Sequence, residues 1–149
     1  MIERRLEDPA ATHALGVRLG HAASAGIVIA LIGDLGAGKT ALVRGLAEGL
    51  GCPGPVQSPS YVLSMRHEGR IPLVHADAWR LGSSGELDDL ELLEEAADGV
   101  LALEWADRFL DALPPDHLRV ELSVEGQGRR ARIEATGPRH RALEIAAGA

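Results

Sequence analysis

Eight consecutive residues, Gly33-Asp34-Leu35-Gly36-Ala37-Gly38-Lys39-Thr40, have the types and spacing G-x-x-x-x-G-K-[ST]. That pattern is a phosphate-binding loop: glycines let the backbone curl so that successive N–H groups point inward at phosphate oxygens. Lys39 carries a compact positive charge to the outer phosphates, and the Thr40 hydroxyl is placed to ligate Mg²⁺. With 18 glycines in the chain a chance match is easier than usual, so context matters. Lys39 is the only lysine; the remaining 14 of the 15 basic residues are arginine. Lysine is kept at the one position where a point charge suits the geometry better than a planar fork. The chemistry implied is binding of a nucleoside triphosphate.

Hydrolysis needs more: a carboxylate near the metal and a group that orients the attacking water. Two apolar runs end in acids, Pro72-Leu73-Val74-His75-Ala76-Asp77 and Val100-Leu101-Ala102-Leu103-Glu104. In open α/β sheets the carboxyl ends of strands line the ligand crevice, so both acids are candidates for the phosphate side. Glu104 closes the cleaner buried run and is the candidate for holding Mg²⁺, directly or through water. Asp77 is the candidate to position water or act as base. Ser58-Pro59-Ser60 either supplies a hydroxyl to the γ-phosphate or its Mg²⁺, or is a proline turn whose serines satisfy local backbone groups. Of only four aromatics, Tyr61, Trp79 and Trp105 each sit within two residues of Ser60, Asp77 or Glu104. They suggest a surface for stacking or for a partner, against core filling as the plain alternative. The six histidines lack zinc-ligand spacing, and only His75, beside the Asp77 strand end, is close to this chemistry.

The elements that must hold these groups follow from pattern. Ile27 to Ile32 is wholly apolar and partly β-branched, a strand buried on both faces. After the loop, Leu42, Leu46 and Leu50 recur every four residues, a helix whose N-terminus faces the phosphates. Asp8-Pro9 opens a helix to about Ser24, with Leu15, Leu19 and Ala22 inward. Tyr61–Met65 and Ile71–Ala76 read as a hairpin, and His117–Val124 with Arg130–Ala135 as a second. Gly85 to Ala97 has the pattern of one exposed acidic helix, Asp107 to Leu113 of a short one, and Gly137-Pro138 starts a terminal helix. The expected architecture is a single α/β domain over residues 1–149: a P-loop NTPase whose mixed sheet has parallel strands at the loop, added hairpins, and flanking helices.

Composition narrows the class. The 149 residues carry a formal net charge of −7, with 46% hydrophobic and 25% charged residues, as in a soluble globular protein. The acidic balance argues against autonomous nucleic-acid binding, although Arg129, Arg130, Arg132, Arg139 and Arg141 leave room for a local basic patch. No run is long enough to span a bilayer, and Met1-Ile2-Glu3-Arg4-Arg5 does not lead into a signal-peptide core. The single cysteine, Cys52, suits a reducing cytoplasm and a structural role.

Together these pieces resemble one family, the bacterial ATPase component of tRNA threonylcarbamoyladenosine biosynthesis, TsaE (formerly YjeE). The resemblance rests on Gly33 to Thr40, Ser58-Pro59-Ser60-Tyr61, His75-Ala76-Asp77-Ala78-Trp79-Arg80-Leu81 and Glu104-Trp105, in that order and spacing, and covers nearly the whole chain. It implies ATP and Mg²⁺ as cofactors, with Mg²⁺ ligation by Thr40 and Glu104, a switch hydroxyl at Ser60, an essential acid at Asp77 and a functional Trp105. It also implies that Thr12 and Arg129, outside the loop, help to seat the nucleotide. Three departures stand out: Ser60 where threonine is usual, Trp79 for tyrosine, and Ala106 for proline. The family is expected to act in the cytoplasm through a TsaD–TsaB partner complex, reaching tRNA indirectly and touching no membrane.

Two other readings use the same loop. A small-molecule P-loop kinase normally closes an arginine-bearing lid, yet the segment between Asp77 and Glu104 has no arginine after Arg80. A nucleotide-gated binding module with negligible hydrolysis differs little in sequence from an ATPase. A GTPase is disfavoured because no N-K-x-D guanine-reading motif is present.

Overall fold

The computed structural model describes residues 1–34, 36–56, 64–79 and 81–149, with Asp89 as backbone only. The apolar run behaves as its composition requires: Ile27–Ile32 (β2) is buried through Leu31, because layers of structure cover both its faces. Three strands run parallel to it or to one another: Leu73–Asp77 (β4), Val100–Glu104 (β5) and Leu118–Glu125 (β6). Three more join antiparallel to their neighbours: Ile2–Leu6 (β1), Ser64–His67 (β3) and Gly128–Ala135 (β7). The order across the sheet is β1-β7-β6-β2-β5-β4-β3. The fold is α/β with a mixed sheet flanked by helices.

Alternation sorts the core into two layers. Ile27, Ile29 and Leu31 pack toward the helices Pro9–Ala22 (α1), Lys39–Gly49 (α2) and Arg141–Gly148 (α5), meeting Leu15, Leu46 and Leu143. Val28 and Ala30 pack on the opposite face against Leu87, Leu92 and Phe109. The α1 cap is as read from sequence, with Pro9 in the first turn and the Asp8 carboxylate accepting from the Ala11 amide at 2.8 Å.

Helices α1 and α2 meet backbone to backbone. A Cβ on Gly45 would lie 2.0 Å from the His13 carbonyl oxygen, and one on Gly16 would lie 2.2 Å from that of Leu42. Gly16 and Gly20 of α1 face Gly45 and Gly49 of α2, so spacing of four on both helices makes the close approach possible. This contact lays α1 against the start of α2, which brings Thr12 to the phosphate loop.

The structure departs from expectation in three places. Strand β1 lies where local pattern offers none, because Ile2-Glu3-Arg4-Arg5-Leu6 is charged for a strand. It forms because β7 leaves an edge that its backbone pairs with, from Ile2 opposite Ile133 to Leu6 opposite Arg129, and because Leu6 is buried in the core. Glu3 adds ion pairs to Arg130 at 3.2 Å and to Arg132 at 3.3 Å. The single helix over Gly85–Ala97 is instead two, Ser84–Asp89 (α3) and Leu92–Glu95 (α4), broken at Glu91, whose φ is 53°. In one continuous helix Leu87 and Leu92 would point about 140° apart; the break rephases the chain so that both are buried. The short helix over Asp107–Leu113 is two 3₁₀ turns, Ala106–Arg108 and Leu110–Ala112, with buried Phe109 between them.

Candidate functional site

The site is built where β2, β4 and β5 end. Registers put Asp77 opposite Glu104, and Glu104 opposite Leu31, the last buried residue before the phosphate loop. Alternation puts His75, Asp77 and Glu104 on the same face as α2. The loop curls through Gly36 (φ 81°) and Gly38 (φ 101°), values that side chains rarely adopt. Gly38 is also the N-cap of α2 and offers no side chain to the first-turn amides, which leaves those donors for a ligand. A cleft of about 610 Å³ opens here. Its walls include Gly36, Gly38, Lys39 and Thr40, with Thr12, Asp77, Glu104, Trp105 and Arg129.

The charges in it are held by the chain itself. Lys39 is 6% exposed; its Nζ donates to the Gly33 carbonyl at 2.5 Å, lies 3.9 Å from Glu104 Oε1 and sits 4.0 Å above the centre of the Trp105 ring. Glu104 Oε2 is 2.6 Å from His75 Nε2, with both residues buried. Asp77 is half-buried and accepts the Trp79 amide at 2.9 Å, a local turn that fixes one carboxylate oxygen. Thr40 is exposed. Thr12 is buried, its methyl 3.6 Å from where a Cβ on Gly38 would be. Arg129 reaches from β7 and donates through Nε and Nη2 to the Gly36 carbonyl at 3.0 and 2.7 Å.

Beside the cleft, half-buried Trp105 stacks on Trp79, which is 56% exposed, with ring centres 4.6 Å apart and planes tilted by 46°. Trp105 adopts φ 61°, an uncommon conformation for a bulky residue, at the sharp turn that follows Glu104. Arg108 Nη1 donates to the Trp79 carbonyl at 2.9 Å and so ties the two segments together.

Of the remaining sequence candidates, Gly33, Asp34 and Ala37 form the loop away from the cleft wall. Gly33 receives Lys39, Asp34 is exposed, and Ala37 is packed in the core. Leu35, Ser58, Ser60, Tyr61 and Arg80 lie outside the described residues. Cys52 is buried and its burial pushes the thiol pKa up, as suits a structural thiol. Leu6, Asp8 and Gln127 also line the cleft. Sequence marks Asp8 only as the start of α1, and no motif marks Leu6 or Gln127: pairing of β1 with β7, with Leu6 opposite Arg129, is what brings them to the cleft.

Among the described residues, no three or more His, Cys, Asp or Glu side chains converge to form a self-sufficient metal site. The donors that do face the cleft, the Thr40 hydroxyl and the Asp77 and Glu104 carboxylates, are hard oxygens. That set suits Mg²⁺, which takes one or two protein oxygens and completes its shell with phosphate and water.

Residues 6–132 match the model of one family, described as "Threonylcarbamoyl adenosine biosynthesis protein TsaE". The chain belongs to the TsaE family. A relative from Streptomyces coelicolor, named tRNA threonylcarbamoyladenosine biosynthesis protein TsaE, is 44% identical over 112 residues, covering 72% of this chain and 76% of its own. One of the same name from Nostoc is 42% identical over 130 residues, covering 84% and 80%. The solved structure of Bacillus subtilis YdiB superposes with a TM-score of 0.82 at 29% identity, covering 98% of this chain and 93% of that one.

In this TsaE chain the C-terminal arginines are engaged internally. Arg130 bonds Glu125 and Glu3, and Arg132 bonds Glu3. Arg139 donates to the Ala25 carbonyl, and Arg141 lies 3.7 Å from Glu144. No helix among the described residues is long and apolar enough to cross a membrane.

Proposed function

We propose that this chain binds ATP with Mg²⁺ and hydrolyses it slowly, as a subunit of tRNA threonylcarbamoyladenosine modification that acts through a TsaD–TsaB-type complex. The observation that carries the reading is one cleft lined by Gly36, Gly38, Lys39 and Thr40 together with Asp77 and Glu104. Phosphate oxygens compete with the Gly33 carbonyl and Glu104 for the Lys39 ammonium, and the uncapped amides of α2 stabilise the same anion. Thr12 and Arg129 bound the nucleotide from α1 and β7, with Arg129 also bracing the loop through Gly36. Thr40 and Glu104 hold the metal, which when bound neutralises charge on the phosphates. Asp77, with one oxygen fixed by the Trp79 amide, keeps the other for a water. Ser60 supplies the further hydroxyl that the family pattern implies.

The Trp79–Trp105 pair is the partner-facing surface: an exposed indole beside the cleft is the kind of residue that dominates binding energy at interfaces. A net charge of −7 leaves the RNA to the partners, in the cytoplasm. The kinase alternative is weakened by α3 and α4, which pack on the sheet face away from α2 and contain no arginine. Phosphate release from ATP, with and without the partner complex, tests the proposal. Partner-stimulated release supports it, whereas phosphate transfer to a small acceptor, or no release in either case, overturns it. Trp105→Ala should stay folded and bind ATP yet lose the stimulation. A stable variant that is still fully stimulated removes the interface role. A loss of about 3–5 kcal/mol in stability would instead make Trp105 a core residue.

A further inference from the structure

Sheet register makes His75 and Glu104 diagonal neighbours. His75 lies opposite Ala102 and Asp77 opposite Glu104, all four on the face toward α2. Ala102 is small, so the imidazole has room to lean along the sheet toward the carboxylate two residues on. It reaches it: Nε2 lies 2.6 Å from Glu104 Oε2. A carboxylate only accepts, so Nε2 carries the proton and donates. His75 is 2% exposed and its Nε2 is covered by Glu104, so the ring is not placed to touch a substrate in the cleft.

We propose that His75 is a positioning residue for Glu104. Its Nε2–H holds Oε2 at the sheet and thereby turns Oε1 toward Lys39 and the cleft, where the metal is held. A glutamate has three side-chain torsions, and among the described residues only His75 and Lys39 are paired with this carboxylate. Lys39 is 3.9 Å away and is itself drawn to Gly33, so the 2.6 Å bond to His75 is the tighter restraint. Ligand carboxylates held by an outer hydrogen bond lose about 10–100-fold in metal affinity when that bond is removed. The inference rests on Glu104 as the metal-side carboxylate of the proposed function.

Its test uses ADP as the probe, titrated by calorimetry in EDTA and then at rising Mg²⁺. Variants are His75→Phe, which keeps a ring but no donor, and His75→Gln, whose amide nitrogen lies as many bonds from Cβ as Nε2 does. In EDTA both should bind ADP as the wild type does. The Mg²⁺ concentration needed for full affinity should rise about tenfold or more in His75→Phe and stay near wild type in His75→Gln. Should His75→Phe fail to fold, His75→Asn, one bond too short, takes its place with the same expected loss. An unshifted Mg²⁺ requirement in the donor-less variant overturns the proposal, and so does an equal loss in His75→Gln. A Glu104→Gln variant separates the two levels: if it leaves the Mg²⁺ requirement unchanged, the metal assignment fails first. In the nucleotide-free protein, ¹⁵N spectra of labelled histidine should show a protonated Nε2 at His75; a protonated Nδ1 with bare Nε2 would also overturn it.

Discussion

At the ends of β2, β4 and β5, Lys39, Glu104 and His75 are 6%, 8% and 2% exposed, and each is held by a few contacts within the chain. At the other side of the sheet, Glu3, Arg5, Glu125, Arg130 and Arg132 form a denser web of ion pairs across β1, β7 and the end of β6. Those side chains are exposed by roughly two-fifths, as with Glu3 at 43%. More ion pairs do not make that side the more consequential one. Exposed pairs are screened and carry side-chain entropy, and each contributes about 0–1 kcal/mol. Removing one member of a buried set leaves its partner desolvated and uncompensated, which is far costlier. Buried charges also stay available to a ligand only if something in the cleft can replace their partners, as phosphate can for the carbonyl at Lys39.

The largest effect is therefore expected from Lys39→Ala, which deletes the only ammonium that reaches the cleft. ATP affinity should fall by about a hundredfold or more, equivalent to about 3 kcal/mol. A folded variant with undiminished affinity by calorimetry would remove the phosphate loop from the centre of the site. Asp77→Ala and Glu104→Ala should retain nucleotide but lose hydrolysis, with Mg²⁺ dependence weakened mainly in the Glu104 variant. Wild-type phosphate release from the Asp77 variant would take that strand end out of the chemistry.

A backbone contact sharpens the contrast without any charge. Gly45→Ala inserts a methyl 2.0 Å from the His13 carbonyl, so α1 and α2 must separate. The expected cost is about 1–3 kcal/mol, read as a lower melting temperature, with weaker ATP binding as Thr12 moves. An unchanged melting temperature would mean that the helices can part freely.

His140 tests burial in a structural setting. Its Nε2 accepts the Val28 amide of β2 at 2.9 Å, and its Nδ1 donates to Asp116 at 2.7 Å. Burial lowers its pKa below the ordinary histidine value, although Asp116 pulls the other way. A histidine whose folded pKa is depressed binds fewer protons folded than unfolded. Its contribution is complete above about pH 6.5, the unfolded value, and is lost as pH falls through the folded one. Urea midpoints should drop between pH 7.5 and 5.5, and drop less in His140→Gln. Equal drops would assign the loss to another group that titrates in this range, such as His67, whose pKa burial also lowers.

The smallest effect belongs to the paired surface. Glu3→Ala breaks contacts to Arg130 and Arg132, yet should change stability by no more than about 1 kcal/mol, less at higher salt. A larger loss would mean that β1 depends on those pairs for its place in the sheet.

What the sequence determined by itself is what local pattern encodes. The phosphate loop, the buried strands β2, β4 and β5 with acids at two of their ends, and the Asp8-Pro9 cap of α1 each follow from residues adjacent in the chain. So does the second hairpin, while the first is legible as a pairing but not in its bounds: its leading strand is Ser64–His67, against an expected Tyr61–Met65 whose first three residues lie outside the described ones. Other features depended on partners distant in sequence. Strand β1 is a strand only because β7 offers an edge for its backbone to pair with. The acidic helix is split because Leu87 and Leu92 must reach one core. The glycine pairs of α1 and α2 show their purpose only when the helices touch. Likewise, His75 and Glu104 stand 29 residues apart in sequence and 2.6 Å apart in space. That bond exists because β4 and β5 are parallel neighbours in one register, and side-chain chemistry alone does not fix a register.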